Sequence, residues 1–274
     1  MLAAAAIAEP SSEWTWPEYK SLAQRLTRDL NGDGEADQFG TNRFDWRAII
    51  HYYMAEGGRF FSEGFTEFLP DRQAAITAFE FAASFDLDRL VSASWVNDFL
   101  KGNLALVLTH LPSTVNQGSA GSRLFQVGST IQPRHSNGSR MFFVTSNQLG
   151  INPNSSEEQQ RAAWTFIRWA NSPEGYARAS REAFGACQLY PARRDSALSD
   201  YCSASDVPGI RPELSMEIIT NFGVPELTPP TWPEINSRFY SAWTENVLTG
   251  RMAPAAFYDS VIASINAALR EARE

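Results

Sequence analysis

The chain contains few lysines and no long apolar run, and each absence argues against a class of partner. Only Lys20 and Lys101 among its 23 basic residues are lysines, the basic residues form no cluster, and the formal net charge is −8. Nucleic-acid binding needs clustered positive charge, so we do not expect it here. The apolar start at residues 2–8 is far too short to span a bilayer and lacks the basic residues of a signal peptide.

Cysteine is also scarce, with only Cys187 and Cys202 in 274 residues. No Cys-x-x-Cys or Cys/His spacing is present, so neither a redox motif nor a zinc site is predicted. The two cysteines flank a turn-rich segment, and in an oxidising compartment a disulfide between them would stabilise the fold by about 3 kcal/mol. Two buried, unlinked thiols are the alternative, and the sequence leaves both open.

No group of residues has a pattern typical of catalysis, and we expect a protein that is not an enzyme. The three histidines, His51, His110 and His135, have no serine or cysteine nucleophile in a recognisable motif. The glycines do not form a phosphate-binding pattern. A carboxylate pair suited to glycoside cleavage cannot be assigned without geometry.

The most regular polar pattern spans residues 29–37, where oxygen-bearing side chains alternate around two glycines. A calcium-binding loop supplies ligands from its positions 1, 3, 5, 7 and 9. These positions are occupied here by Asp29, Asn31, Asp33, Glu35 and Asp37. Position 12, normally a bidentate carboxylate, is Gly40. The pattern predicts a structural Ca²⁺ site, and an ordinary turn built on Asn-Gly and Asp-Gly is the alternative.

Periodicity and capping residues predict several helices and a few buried strands, which indicates an α/β or α+β protein. Helices are expected at residues 15–27, 46–56, 71–85 and 231–248, the first and last opening with the same residues, Thr-Trp-Pro-Glu. Buried strands are expected at residues 104–109, 124–127 and 140–145. A further helix that starts near Ser156 is expected to bury Ala163, Phe166, Ile167 and Ala170 and to pack Trp164 and Trp169.

Five motifs follow one another along the chain. They are residues 14–19 (WTWPEY), the loop at 29–40, residues 99–107 (FLKGNLALV), residues 163–174 (AWTFIRWANSPE) and residues 189–193 (LYPAR). In this order they resemble the extracellular solute-binding proteins of ABC importers, in the sugar-binding family 1 that includes maltose-binding protein. One position departs from the pattern, since Leu106 stands where the family usually has methionine.

The resemblance implies an α/β, periplasmic-binding-protein-like type II fold with two lobes. Residues 1–8 align best with the helix just before the first crossing between the lobes, so the N-terminal part of the first lobe is expected to be absent. The expected domains are residues 1–127 as the first part of a complete second lobe, residues 128–181 as the returning segment of the incomplete first lobe, and residues 182–274 as the completion of the second lobe with the C-terminal helices.

The resemblance also implies a function outside the cytoplasm, in the periplasm or at the cell surface. A saccharide or similar polar small molecule would bind between the lobes and pass to an ABC permease in the membrane. A secreted carbohydrate-active enzyme fragment and a truncated, binding-incompetent interaction module are the alternatives. We expect a monomer unless the missing lobe leaves an exposed patch.

Candidate ligand contacts follow from the positions where relatives line their cleft. They are Asn42, Arg43, Asp45 and Trp46 at a strand-to-helix transition, His110 after a buried strand, Arg140, Thr145 and Ser146 along the returning strand, and Trp232 before a helix. Each has a structural alternative: a core tryptophan for Trp46, a strand end for His110, sheet-edge polarity for the returning strand, and a hydrophobic staple for Trp232.

Overall fold

The computed structural model describes residues 1–44, 46–108, 125–144, 149–175, 178, 211–225, 229 and 231–272. The chain divides into two units. Unit 1 comprises Met1–Leu108, Gln132–Phe143 and Phe222–Glu274, and unit 2 comprises Thr109–Ile131 and Val144–Asn221. The expected lobe limits at 127/128 and 181/182 remain a prediction. In the described ranges, no helix is long and apolar enough to cross a membrane.

Helices and strands alternate along most of the chain. After a short 3-10 turn (Ala3–Ala5), the elements are α1 (Trp16–Leu26), β1 (Phe39–Asn42), α2 (Trp46–Ala55), α3 (Arg72–Leu87), β2 (Val91–Ser92), α4 (Trp95–Lys101) and β3 (Leu104–Leu106). They continue with β4 (Phe142–Val144), α5 (Glu157–Ala170), α6 (Pro212–Phe222), β5 (Gly223–Pro225), α7 (Trp232–Ala242), a π-helical segment (Trp243–Val247) and α8 (Pro254–Glu271). The predicted helices are confirmed, whereas the candidate strands are shorter than predicted and residues 125–127 form none.

The sheet of unit 1 is parallel and places β1 at its centre. The strand order is β2-β1-β3, with Thr41 opposite Val91 and Leu106 on its two sides. Parallel neighbours need helical crossovers between them, and those helices cover the sheet. The carboxyl end of β1 therefore leads directly from the sheet centre into α2. A second, two-stranded sheet pairs β4 with β5.

Two helix starts with the same four residues are capped differently. At α1 the Thr15 side chain accepts from the Glu18 backbone N–H, and the Glu18 carboxylate accepts from the Thr15 backbone N–H at 2.7 Å, so the predicted capping box is confirmed. At α7 the Thr231 side chain makes no capping bond, and Glu234 pairs with Arg238 at 2.5 Å. The Glu234 carboxylate is thus bound by Arg238, one turn later, and does not accept from the Thr231 backbone N–H.

The core of unit 1 is largely aromatic. One group surrounds Phe79, whose ring centre lies 5.5–5.7 Å from those of Phe239, Trp243 and Phe257. All four side chains are fully buried, and they come from α3, α7, the π-helical segment and α8. This group therefore joins the C-terminal helices to α3.

Helix α5 in unit 2 differs from its prediction. It starts where expected, with a capping box formed by Ser156 and Gln159, but none of its residues is buried. Phe166 and Trp164 are each 55% exposed and Trp169 is 41% exposed, so the prediction that they pack inward is wrong. Ala163, Ile167 and Ala170 are half-buried rather than buried. Helical periodicity predicts an apolar face, but it does not determine whether another surface covers that face.

We expect Phe79→Ala to lower the free energy of unfolding by about 3–5 kcal/mol, because it opens a cavity among three other buried rings. Urea unfolding at pH 7 measures this loss. The control is Tyr240→Ala on α7, where the side chain is 38% exposed and a much smaller loss is expected. Equal losses for the two variants would contradict the assignment of Phe79 to the centre of the core.

Candidate functional site

The predicted contact Asn42 holds the end of a neighbouring strand. The Leu108 backbone N–H donates to Asn42 Oδ1 at 2.7 Å, and Asn42 Nδ2 donates to the Leu108 carbonyl at 3.0 Å. The Asn42 side-chain amide therefore pairs with the Leu108 backbone as a strand backbone would, and so extends the pairing of β1 with β3. Leu108 is the last residue of unit 1 before the chain enters unit 2. His110 follows it and lies outside the described residues.

Arg43 is paired with a buried carboxylate. Its Nε donates to Asp86 Oδ1 at 2.6 Å; the Asp86 side chain is 6% exposed and that of Arg43 is 38% exposed. Burial raises the pKa of Asp86, and the adjacent guanidinium partly offsets this effect. The ion pair fixes Arg43 just beyond β1. Asp45 and the side chain of Trp46 lie outside the described residues, although Trp46 begins α2.

Arg140 contacts three residues of unit 1. Its Nε donates to the Gln132 carbonyl at 3.0 Å, its Nη2 donates to the Ser12 carbonyl, and its guanidinium lies 5.8 Å from the centre of the Phe222 ring. Gln132 and Phe222 are the residues at which the chain re-enters unit 1. Arg140 therefore links both points of re-entry, Gln132 and Phe222, to Ser12 near the N-terminus. Thr145 and Ser146 lie outside the described residues.

Trp232 lies at the first position of α7. It is half-buried and packs edge-on against Phe61, with ring centres 6.2 Å apart. Trp232 also borders the aromatic core of unit 1. This packing agrees with a structural role at the helix start, and ligand contact by Trp232 remains a prediction.

Two histidines without an assigned role fasten the segment Gln132–Phe143 to α2. His51 Nε2 accepts from the Phe143 backbone N–H at 3.1 Å. His135 Nδ1 lies 2.6 Å from Glu56 Oε1 just after α2, and Ser139 Oγ donates to the Ala55 carbonyl. Residues 14–16 add two backbone hydrogen bonds with Arg134, of 2.9 and 3.1 Å. No sequence signal marked these histidines, because their partners are 79 and 92 residues away.

His135 is a buried titratable group. Its side chain is 2% exposed, its ring lies 4.3 Å from that of Tyr52, and its Nε2 has no hydrogen-bond partner among the described residues. Burial lowers the pKa of His135, and the Glu56 carboxylate opposes this effect. A neutral ring with the proton on Nδ1 satisfies the Glu56 contact.

The loop at 29–37 is closed by hydrogen bonds from its own backbone. The Asp29 carboxylate accepts from the backbone N–H groups of Asn31, Gly32 and Gly34 at 3.2, 2.6 and 2.8 Å. Asp37 Oδ2 accepts from Leu30 and Asn31 at 2.8 and 3.1 Å. Hydrogen bonds from Gly34 and then Gly32 lower the pKa of Asp29. Within the described ranges, no three His, Cys, Asp or Glu side chains are grouped to hold a metal ion.

Close packing explains why position 12 of the loop is Gly40 and not a carboxylate. Gly40 lies in β1, and a Cβ there would meet the backbone of Ala23 in α1. No carboxylate can therefore stand at this position while β1 passes α1 so closely. The five predicted ligands remain, and the Ca²⁺ site stays a prediction.

Solved structures share the fold of this chain. An ABC substrate-binding protein of Listeria monocytogenes, in complex with cycloalternan, matches with a TM-score of 0.77 and 18% identity over 97% of this chain and 66% of that one. UgpB of Mycobacterium tuberculosis, in complex with glycerophosphocholine, matches with a TM-score of 0.72 and 16% identity over 100% of this chain and 67% of that one. The maltose/maltodextrin-binding domain MalE of Bdellovibrio bacteriovorus, bound to maltotriose, matches with a TM-score of 0.67 and 18% identity over 98% and 68%.

These matches confirm the α/β, periplasmic-binding-protein-like type II fold. The chain spans about two thirds of the length of each of these neighbours. No family model and no curated protein matches it.

We expect the stability of unit 1 to fall as the pH is lowered through about 6.5, the ordinary pKa of histidine. The pKa of His135 is depressed in the folded protein, so the unfolded chain takes up the proton first and is favoured in acid. Urea unfolding between pH 7.5 and 5 measures the effect, and His135→Gln removes this contribution. An identical pH dependence in the variant and the unchanged protein would contradict the proposed titration.

Proposed function

We propose that this chain is the solute-binding component of an ABC importer and holds a saccharide or similar polar small molecule without altering it. The observation that carries the proposal is the fold match over 97% of the chain, at a TM-score of 0.77, with a substrate-binding protein in complex with cycloalternan. The MalE neighbour is a maltose/maltodextrin-binding domain bound to maltotriose, and UgpB is in complex with glycerophosphocholine. Each of these neighbours thus holds a polar ligand.

The candidate residues divide into two roles in this proposal. Asn42 and Arg140 hold backbone groups at the ends of chain crossings, so they position the site rather than contact the solute. Arg43, Asp45, Trp46 and His110 contact the solute, together with Thr145, Ser146 and Trp232. Arg43 suits this role because its ion pair with Asp86 holds the guanidinium in one place. A fixed donor loses little conformational entropy when it binds a hydroxyl group.

The proposed partner is an ABC permease, and the proposed location is outside the cytoplasm. The net charge of −8 agrees with a protein that does not bind nucleic acid. We propose that the protein is a monomer unless the missing lobe leaves an exposed patch.

Ligand-observed saturation-transfer NMR with maltotriose, cycloalternan and glycerophosphocholine tests the binding. This chain spans two thirds of the neighbours' length, so we expect a Kd weaker than about 1 mM, equivalent to roughly −4 kcal/mol. Trp46→Ala should abolish the saturation transfer, whereas Trp164→Ala on the exposed face of α5 should leave it unchanged. No transfer to any of the three ligands would contradict the proposed function, and so would new ligand resonances that show cleavage. Micromolar binding would instead contradict the expectation that part of the cleft is missing.

We propose in addition that Asp29, Asn31, Asp33, Glu35 and Asp37 hold a structural Ca²⁺ ion. At a Ca²⁺ concentration 100 times the Kd, the melting temperature should exceed that in a chelator by about 5 °C. Asp33→Asn preserves the Oδ1 that accepts from Glu35 but removes a charge, so it should lose this difference without changing the melting temperature in the chelator. An unchanged melting temperature in the original protein would establish an ordinary turn.

A further inference from the structure

The guanidinium of Arg43 is engaged on one edge only. Its Nε donates to Asp86 Oδ1 at 2.6 Å, and the Arg43 side chain is 38% exposed. Within the residues that the structure describes, this is the one hydrogen bond of the Arg43 side chain, so the N–H groups of its Nη1 and Nη2 remain available. A planar guanidinium that is held along one edge can donate to a ligand from the other.

The position of Arg43 in the sheet is one where a donor can meet a ligand. Arg43 directly follows β1, and β2 and β3 lie on opposite sides of that strand. Open α/β sheets bind their ligands outside the carboxyl ends of the strands, at the point where the strand order changes direction. The topology thus supports solute contact by Arg43 independently of any sequence resemblance.

Asp86 sets the charge that a ligand of Arg43 would meet. Its side chain is 6% exposed and lies in the last turn of α3. The short hydrogen bond from the guanidinium favours the ionised carboxylate, whereas burial raises the pKa of Asp86. The positive charge of Arg43 is therefore balanced at close range, and its free N–H groups offer hydrogen bonds with little net positive charge behind them.

Two other basic residues near the end of α3 are also paired with carboxylates. Lys20 Nζ lies 2.9 Å from Asp88 Oδ2, and Arg89 Nη1 lies 3.6 Å from Glu35 Oε1. Neither pair leaves an unbalanced cation to attract an anionic ligand. The net charge of −8 repels anions at longer range as well.

We propose that Asp86 determines solute specificity: it cancels the positive charge of Arg43, so the site accepts uncharged polyols and rejects solutes that carry a phosphate or carboxylate group. Hydroxyl oxygens need directed donors but no compensating charge. A phosphate would lose its hydration at this site and gain no net positive charge in return. Asp86 touches no solute and acts through Arg43. The inference rests on the proposed function, because it takes Arg43 as a solute contact.

The test compares maltose with maltose 1-phosphate, which differ by one phosphate group, in ligand-observed NMR titrations of the 274-residue chain at pH 7.5 and low ionic strength. The unchanged protein should bind maltose at least tenfold more tightly. Asp86→Asn keeps an Oδ1 that accepts from Arg43 Nε but removes the charge, so it should reduce this preference at least tenfold. A merely structural role of Asp86 would weaken both ligands alike and leave their ratio unchanged.

The matched control is Asp88→Asn, which makes the same change in net charge two residues away. Asp88 pairs with Lys20 and not with Arg43, so this variant should keep the preference for maltose within twofold. Urea unfolding shows whether both variants are folded.

A second measurement needs neither a saccharide nor a variant. Inorganic phosphate is titrated into the unchanged protein while the ¹⁵N signal of Arg43 Nε is followed by NMR. The signal should not move, because the charge of the guanidinium is already balanced by Asp86. In Asp86→Asn the same titration should shift it.

Three results would overturn the inference. They are equal or tighter binding of maltose 1-phosphate by the unchanged protein, an unchanged ratio in Asp86→Asn, and an equal change of the ratio in Asp88→Asn. If neither sugar binds, the proposed function is contradicted and the phosphate titration decides the charge balance by itself. A shift of the Arg43 Nε signal in the unchanged protein would then overturn the inference, and a constant signal would support it.

Discussion

The structure depends on how the chain is held where it passes between its two units. It crosses four times, and each boundary residue on the unit 1 side contacts a side chain of that unit. Asn42 holds Leu108, Arg140 holds Gln132 and Phe222, and His51 holds Phe143. These contacts are polar or cation–π, and three of the four involve backbone groups. Such hydrogen bonds specify where a segment lies more strictly than apolar packing does, because an unpaired buried group is costly.

Helix α2 organises much of this anchoring. It begins directly after the central strand β1, so the parallel sheet determines its position. His51 and Ala55 on α2, with Glu56 just after it, then hold three points of the segment Gln132–Phe143. The parallel sheet, α2 and the segment Gln132–Phe143 are therefore joined, each to the next, by direct contacts or by the chain itself. The ion pair of Arg43 with Asp86 lies at the junction of β1 and α2 and links it to α3.

Local features of the fold could be predicted from the sequence. The helix starts at Thr15 and near Ser156 depend on residues within one helical turn, and both form as predicted. The cap at Thr231 does not form, and the reason is equally local, because Arg238 binds the Glu234 carboxylate that the cap needs. The fold class followed from motifs in order along the chain.

Long-range contacts could not be predicted in this way. Asn42 and Arg140 stood out as polar residues at element ends, but the sequence could not distinguish contact with a solute from contact with a backbone group 66 residues away. His51 and His135 gave no signal at all. The exposure of α5 escaped prediction because its apolar pattern is the same whether or not a partner surface is present.

Native-state hydrogen exchange of the Leu108 and Phe143 amides tests the anchoring most directly. Both donate to side chains of unit 1, Asn42 and His51, and should exchange as slowly as amides in the core of that unit. In Asn42→Ala the Leu108 amide should lose its protection while that of Phe143 is retained. If both amides in the unchanged protein exchange as fast as exposed ones, the crossings are not held by unit 1 and this account of the structure is wrong.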